Sequence, residues 1–359
     1  MKRYGYLWDR TVCFDNLSRA ARLAGRGKRK NSCVQRFEFD LEHELIRLQE
    51  ELITRVYRPG SFRSHWITRP KARMISAAPF RDRVVHHALM NVLEPIIDKH
   101  FHPDSFACRK GKGAHAAADR LQRFMQDRRY ALQCDIRKFF PSIDHQILKQ
   151  LFRTRIKDGK FLWLMDLIVD HSNPQELVQL WFAGDDLFAP VERRRGLPIG
   201  NLTSQWFANW YLDGLDHFVT SGLEIGGYVR YCDDFVLLHN DRARLHDAKD
   251  RISEWLEKRR LRLHQGKLQI RPVRAGVRFV GYRIWPTHRL LPKDNVRAFR
   301  RRVRWMRNAY AAGRIDSDAV KQRLAGWLGH AGKADSKKLL ARLQQDWVFS
   351  RCSSTIVDG

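Results

Sequence analysis

The stretch Gly227–Asn240, GYVRYCDDFVLLHN, places two adjacent carboxylates between two apolar runs. This pattern predicts a β-hairpin with Asp233 and Asp234 at its turn. Two carboxylates at a hairpin tip can bind a metal ion, but an ordinary hairpin turn has the same local sequence. The rest of the chain must decide between these two interpretations.

A second pair of adjacent acids offers a comparison within the same chain. Asp185 and Asp186, in AGDDLFAP, lie between Gly184 and Pro190 and follow no apolar run. This setting is typical of a solvated loop. Adjacent acids alone therefore do not indicate a metal site.

The composition favours a globular protein that binds a polyanion. The 359 residues are 43% hydrophobic, enough for two or three subdomains around a sizeable core. Lys and Arg total 67 against 39 Asp and Glu, a formal net charge of +28. Because such a surplus supplies the contacts that release counterions from phosphates, a large nucleic acid is the expected partner.

Other partners and compartments are disfavoured. No apolar run approaches the ~20 residues that a membrane span requires, so we expect no membrane association. The N-terminus MKRYGYLWDRTVCFDN has neither the apolar core nor the cleavage site of a signal peptide, which predicts a cytoplasmic protein. The six cysteines are scattered without a C-x-x-C pair, so we expect reduced thiols rather than zinc ligands or disulfides.

The first half of the chain predicts two helices, a basic hairpin and a glycine-rich loop. Residues 37–57 show helical apolar spacing that ends before Pro59, and residues 62–80 predict two strands joined by a basic turn at 69–72. A second helix is expected over Asp82–Ile97. Its adjacent His86 and His87 point about 100° apart and are poor candidates for one metal ion. The basic loop in Ser105–Ala118 lacks complete P-loop spacing.

Two further blocks bring polar groups to the ends of predicted elements. Tyr130–Asp144, YALQCDIRKFFPSID, predicts an apolar strand that ends at Asp135, the third candidate metal ligand. GLPIGNLTSQWF predicts a turn and then a helix from about Thr203. Gly196 and Gly200 in that turn allow the backbone to approach a ligand closely.

The remainder predicts one more helix, two short strands and a basic helical end. The helix covers Ala243–Arg260, LRLHQGKLQI is a strand with a turn near Gly266, and FVGYRIWP is a short strand closed by Pro286. In NVRAFRRRVRWMRNAY an apolar stripe predicts core packing. The arginines on its other faces form either a solvated surface or, as we favour, phosphate contacts.

The order of these blocks resembles the successive motifs of reverse transcriptases from about residue 40 onward. The resemblance implies an α+β fold, a right-hand polymerase with fingers, a palm built on an antiparallel sheet with helices on one face, and a helical thumb. It implies an N-terminal segment and fingers over 1–125, a palm over 126–285 with a fingers-like insertion at about 145–190, and a basic thumb over 286–359. No endonuclease, RNase H or integrase domain is expected after the thumb.

Within that superfamily the chain most resembles the reverse transcriptases of diversity-generating retroelements. Most reverse transcriptases carry Gln-Gly and a later Ser-Pro where this chain has IGNLTSQ. The blocks PKARMIS, DRVVHHAL, IRKFFPSID and FVGYRIWPTHRLL resemble the same group. The resemblance implies a bacterial, archaeal or phage-encoded enzyme that makes cDNA from a template-repeat RNA, with errors at template adenines.

The resemblance also implies the catalytic groups. Asp135 and Asp233 would bridge two Mg²⁺ ions about 4 Å apart, with Mn²⁺ able to substitute. Asp234 would support one ion less directly, and the carbonyl of Ile136 would be a further ligand. Lys267 matches a lysine that protonates pyrophosphate.

Substrate contacts follow from the same resemblance. Lys71 and Arg73 match the cations that hold the dNTP triphosphate, and Phe140 matches the aromatic ring that excludes a ribose hydroxyl. The alternative for Lys71 and Arg73 is simple exposure to solvent, and the alternative for Phe140 is core packing. Ile199, Gly200 and Gln205 would lie beside the dNTP and the nascent base pair. An RNA template, an RNA/cDNA duplex and an accessory variability determinant protein are the implied partners.

Three alternatives remain open. The first is a retron-type or group II-like reverse transcriptase of ordinary fidelity. The second, from another class, is a non-catalytic basic RNA-binding scaffold, which the presence of all three acids disfavours. The third is an RNA-synthesising polymerase, which the aromatic ring of Phe140 disfavours.

Overall fold

A computed structural model describes residues 3–68, 72–172, 176–345 and 347–351. Its helices are α1 (Trp8–Val12), α2 (Phe14–Gly25), α3 (Ser32–Phe39), α4 (Leu41–Ile53), α5 (Phe80–Ile97), α6 (Ala114–Gln126), α7 (Phe139–Ser142), α8 (His145–Arg155), α9 (Gly159–Asp170), α10 (Ala189–Glu192), α11 (Leu202–His217), α12 (Arg242–Glu257), α13 (Lys293–Ala311), α14 (Ser317–Ala331) and α15 (Lys337–Gln344). Its strands are β1 (Arg63–Ile67), β2 (Arg73–Ala77), β3 (Tyr130–Asp135), β4 (Gly227–Tyr231), β5 (Asp234–His239), β6 (Gln269–Pro272), β7 (Val277–Phe279), β8 (Tyr282–Ile284) and β9 (Arg289–Leu290). The α+β class is confirmed.

The central sheet has the strand order β4-β5-β3-β6, and all its neighbours are antiparallel. Alternate side chains of a strand point to opposite faces. One set, which includes Leu132 and Phe235, joins the larger core with α11 and α12. The other set, which includes Val229 and Val236, joins a second core with α6 and the small sheet β7-β8-β9. The sheet thus carries the expected helices on one face, and α6 covers part of the other.

Helix α11 lies at the centre of the larger core. Phe207, Tyr211 and Leu215, predicted to share one face, are all buried. Trp206, Trp210 and neighbouring residues on its other faces are buried as well. A helix that is apolar nearly all round needs protein on every side, which explains its position between the sheet and the helices of the N-terminal half.

The prediction of one helix over residues 37–57 is wrong. The chain forms α3 and α4 with a break at Asp40, and α4 ends at Ile53. Arg55 has a left-handed φ of 61°, which no continuous helix permits, and Val56 is 59% exposed rather than part of the apolar face. The turn buries Tyr57, whose hydroxyl donates to Asp82 Oδ1 at 2.6 Å.

The predicted basic hairpin is present as β1 and β2, with Ile67 paired to Arg73. Arg69 and Lys71, which the sequence placed at its turn, lie outside the described residues. Glycine-rich Ser105–Ala118 enters α6 as predicted, and Asp82–Ile97 forms most of α5.

One strand prediction after α12 is corrected, and a predicted turn is confirmed. FVGYRIWP is not one strand, because Val280 and Gly281 both have positive φ and form the two-residue turn between β7 and β8. In LRLHQGKLQI the turn predicted near Gly266 is present as the 3₁₀ turn Gln265–Lys267, and strand β6 begins after it at Gln269.

The C-terminal region forms the predicted basic helices. Phe299, Val303 and Met306 of α13 are buried, and the ring of Trp327 from α14 stacks on Phe299 with centroids 3.6 Å apart. The apolar stripe is therefore core packing, as predicted. No helix in the described ranges has the length and hydropathy of a bilayer span.

Candidate active site

The two central acids lie at a tight hairpin, as the sequence predicts. Tyr231 at the end of β4 pairs with Asp234 at the start of β5, so Cys232 and Asp233 alone form the turn. Cys232 has a left-handed φ of 58°. The two acids therefore differ in position, since Asp233 lies in the turn and Asp234 opens a strand.

The register of the sheet brings the third acid to the same place. Asp135, the last residue of β3, pairs directly with Asp234 of β5. The backbone N–H of Ile136 donates to the carbonyl oxygen of Asp233 at 3.1 Å. Residues directly opposite in an antiparallel pair share one face, with Cβ atoms roughly 5 Å apart. The three candidate ligands thus converge at one end of the sheet.

The electrostatics of this cluster favour a cation. Burial, and then the charge of Asp135, raise the pKa of Asp233. Burial, and then the charges of Asp135 and Asp233, raise the pKa of Asp234 to about 8. No described residue offers a hydrogen-bond partner to the buried Oδ1 of Asp234. Hard carboxylate oxygens held together against their repulsion fit a divalent ion such as Mg²⁺.

Lys267 contributes the positive charge beside the cluster. Its ammonium group forms an ion pair with Asp135 Oδ2, and its charge lowers the pKa values of Asp233 and Asp234. Among the described residues no group of three His, Cys, Asp or Glu side chains has the arrangement of a complete metal site. The carboxylate oxygens of Asp135, Asp233 and Asp234 have the chemistry that a divalent cation requires. In this arrangement the ammonium group of Lys267 pairs with one of them.

Ile136 and Arg73 flank the acids. Ile136 is buried directly after β3 and forms an isolated bridge with Leu263. Arg73 is exposed at the start of β2, yet its charge lowers the pKa of Asp233. The hairpin of β1 and β2 therefore brings one of the two predicted triphosphate cations toward the acids. Lys71, the other, lies outside the described residues.

Phe140 and Phe139 differ in burial. Phe139 is buried, whereas Phe140 is half-buried at the edge of the core. The carbonyl oxygen of Phe140 accepts a hydrogen bond from the backbone N–H of Leu197 at 2.9 Å. This bond joins the block after β3 to the glycine turn before α11.

The glycine turn is fixed against strand β2. Ile199 is half-buried, and its carbonyl oxygen accepts from the N–H of Ser76 at 3.1 Å. Gly200 has a φ of 117°, and a Cβ there would lie 2.9 Å from Ile75 Cγ2. Gln205 follows half-buried in the first turn of α11. The structure thus places Phe140, Ile199 and Gly200 in one connected region.

The other acids and histidines that the sequence analysis considered as metal ligands contact protein groups instead. Asp186 is exposed and accepts from the N–H of Ala189 at 2.7 Å. Asp185 pairs with Arg193, and because both side chains are buried it is not solvated as expected. His86 is buried within α5, and no metal cluster among the described residues includes it.

The sequence analysis missed a buried ion pair behind the hairpin of Asp233 and Asp234. Arg230 of β4 and Asp216 of α11 are joined through two 2.6 Å hydrogen bonds. A charged residue inside the apolar run GYVRY was the available signal, since a buried arginine requires a carboxylate partner. The identity of that partner is not apparent from local sequence.

Comparisons with known proteins agree with this geometry. Residues 65–284, more than half of the chain, match the family "Reverse transcriptase (RNA-dependent DNA polymerase)". Protein YkfC of Escherichia coli is 25% identical over 281 residues, which cover 67% of this chain and 71% of YkfC. The group II intron-encoded protein LtrA of Lactococcus lactis is 26% identical over 181 residues, 50% of this chain but 28% of LtrA.

Among solved structures, apo telomerase from Candida tropicalis overlaps 65% of this chain and 55% of its own, with 16% identity and a TM-score of 0.46. That overlap is too loose to support an argument. The family match and the three converging acids are sufficient for the assignment. The chain belongs to the reverse transcriptases, the family of RNA-directed DNA polymerases.

Proposed function

We propose that this polymerase is the reverse transcriptase of a diversity-generating retroelement, which copies a template-repeat RNA into cDNA with errors at template adenines. The observation that carries the proposal is the turn IGNLTSQ, with Ile199 where most reverse transcriptases have glutamine. Ile199 is half-buried next to a turn held on β2. Because the isoleucine side chain cannot form a hydrogen bond, it holds the template base less firmly than glutamine would.

The catalytic chemistry is assigned to the acid cluster. Asp135 and Asp233, with Asp234 and the carbonyl of Ile136, would hold two Mg²⁺ ions or Mn²⁺ in their place. Bound there, the ions supply Lewis-acid stabilisation for nucleotidyl transfer. Lys267 then exchanges its partner Asp135 for the departing pyrophosphate, to which it donates a proton.

The remaining residues orient the dNTP. Arg73 and Lys71 bind its triphosphate, and the ring of Phe140 occupies the space that a ribose 2′-hydroxyl would need. The basic helix α13 contacts the RNA/cDNA duplex, whose phosphates match the positive net charge of the chain. An accessory variability determinant protein completes the proposed assembly.

A primer-extension assay on an RNA template tests the catalytic assignment. The double variant Asp233→Asn, Asp234→Asn keeps the shape of both side chains and is expected to abolish Mg²⁺-dependent DNA synthesis. The double variant Asp185→Asn, Asp186→Asn removes the other adjacent acids and is expected to retain it. Full activity of the first variant would overturn the assignment.

A group II-like enzyme of ordinary fidelity is the second candidate, favoured by the likeness to LtrA. Sequencing the cDNA made from a template with all four bases distinguishes the retroelement enzyme from the group II-like enzyme. The retroelement proposal predicts errors concentrated opposite adenine, whereas an ordinary enzyme distributes few errors over all four bases. A cDNA without excess adenine errors would contradict the proposed subtype and leave the polymerase assignment intact.

A further inference from the structure

Arg230 is a buried cation directly behind the catalytic hairpin. Its side chain is 1% exposed, and that of Asp216 on α11 is fully buried. Nε and Nη2 of Arg230 donate to the two carboxylate oxygens of Asp216, each at 2.6 Å. The hydroxyl of Tyr228 donates to Asp216 Oδ1, also at 2.6 Å. Both charges are therefore compensated, and the guanidinium plane has a fixed orientation.

The remaining nitrogen of Arg230 reaches the turn itself. Nη1 donates to the carbonyl oxygen of Cys232 at 3.1 Å and to Asn209 Oδ1 at 3.2 Å. Asn209 is held in turn through its Nδ2, which donates to the carbonyl oxygen of Ala107 at 2.8 Å. Arg230 thus connects the rigid helix α11 to the peptide immediately before Asp233.

The Cys232–Asp233 turn needs such support. Cys232 carries a side chain at a φ of 58°, a conformation that persists only where surrounding contacts hold it. Two hydrogen bonds fix the backbone of the turn, one from Arg230 to Cys232 and one from the N–H of Ile136 to the carbonyl oxygen of Asp233. The second bond joins the turn to the strand that carries Asp135.

A buried ion pair is weak evidence for stability, because apolar residues of similar volume often stabilise a core equally well. The Arg230–Asp216 pair instead fixes geometry, since a planar guanidinium can hold a carboxylate and a carbonyl at fixed angles. We propose that Arg230, oriented by Asp216, is a positioning residue that fixes the Cys232–Asp233 turn and thereby aligns Asp233 and Asp234 with Asp135. Arg230 does this without touching substrate.

The substitution Arg230→Lys tests the proposal, because the single nitrogen of lysine cannot occupy the three positions from which Nε, Nη1 and Nη2 bond Asp216 and Cys232. We expect kcat for DNA synthesis to fall about 10- to 100-fold and the Mg²⁺ concentration for half-maximal activity to rise. The KM for dNTP and the affinity for the RNA template and primer should stay near those of the wild type. A purely structural role would weaken template binding and activity together.

A second readout needs neither metal nor activity. In the metal-free protein, amide hydrogen exchange at Ile136 reports whether the carbonyl of Asp233 stays in place. Exchange should be faster in Arg230→Lys, and alkylation of Cys232 by a maleimide should be faster too. Because this readout does not depend on metal or on copying errors, it separates the proposal from the proposed subtype.

Arg193→Lys is the matched control, since Arg193 is also buried and bonds a carboxylate, Asp185, away from the hairpin. It should leave the Mg²⁺ requirement and Ile136 exchange unchanged. Should Arg230→Lys not fold, Tyr228→Phe removes a single bond to Asp216 and should change both readouts in the same direction by less. Wild-type values of both readouts in the folded variant would overturn the proposal.

Discussion

The backbone N–H of Ser76 donates a hydrogen bond to the carbonyl oxygen of Ile199 across 3.1 Å. Two residues further on, the N–H of Ala78 donates to Asn201 Oδ1 at 3.3 Å. Strand β2, which carries Arg73, is thereby joined to the turn that precedes α11. Since only the backbone of Ile199 is used in this connection, its side chain can change without loss of the connection.

Ile199→Gln is expected to lower misincorporation opposite template adenine. An amide at this position can hydrogen-bond near the nascent base pair, and one such bond contributes about 1 kcal/mol, or roughly a fivefold change in the error ratio. Sequencing of cDNA from an adenine-containing RNA template measures the effect. Ile199→Val, which stays apolar, should keep the wild-type error pattern. Equal adenine errors in all three proteins would contradict the prediction.

Gly200→Ala is expected to lower both stability and the rate of dNTP incorporation. Its φ of 117° strains any side chain, and the added Cβ would lie 2.9 Å from Ile75 Cγ2. Such strain costs about 1–3 kcal/mol. Thermal unfolding and single-nucleotide kinetics provide the measurements.

Gly226→Ala is the control for this substitution, because a Cβ there meets nothing within 4 Å and no positive φ is involved. The double variant Gly200→Ala, Ile75→Ala should recover part of the loss, since it removes the contact and leaves the φ strain. A Gly200→Ala protein as stable and active as Gly226→Ala would show that the turn tolerates a side chain.

Phe140→Val is expected to admit ribonucleotides. Removing the ring opens space beside the sugar, and a steric change of this size alters discrimination by about 10- to 200-fold. The ratio of kcat/KM for a dNTP to that for the matching ribonucleotide should fall. Phe139→Val, in the buried neighbour, should lower the melting temperature and leave that ratio unchanged. An unchanged ratio of the two kcat/KM values for Phe140→Val would show that Phe140 does not select the sugar.

The sequence predicts the strands and the turn that carry the three candidate acids, because these elements depend on short-range patterns. Short apolar runs define β3 and the hairpin, and the acids occupy the ends of those runs. The local sequence pattern does not specify the strand register that places Asp135 opposite Asp234. That juxtaposition depends on residues about a hundred positions apart, so only the ordered motifs of a family make it predictable.

Where prediction from sequence failed, tertiary packing prevailed over local periodicity. The apolar spacing of residues 37–57 favours one helix, yet burial of Tyr57 against Asp82 requires the chain to turn after α4. The partner of Arg230 could not be identified from the sequence either, since Asp216 lies on a different element and resembles any other acid of a helix. Both cases involve a buried polar contact between distant segments.

Loss of stability on acidification is expected to depend on His86. Burial, and then the charge of His87, lower the pKa of His86 from 6.5 to about 3, and no described residue is a partner for its Nδ1. Between these two values the unfolded chain binds a proton that the native protein does not, so stability falls as the pH decreases from about 6.5 toward 3. The slope from one such group is at most about 1.4 kcal/mol per pH unit.

His86→Gln, neutral at every pH, should flatten this part of the curve. Urea unfolding at pH 4, 5 and 6.5 measures the free energy of unfolding for the wild type and the variant. His43→Gln changes an exposed histidine on α4 and should leave the wild-type slope unaltered. Curves for His86→Gln and wild type that run parallel below pH 6.5 would mean that His86 binds its proton equally in the native and unfolded states.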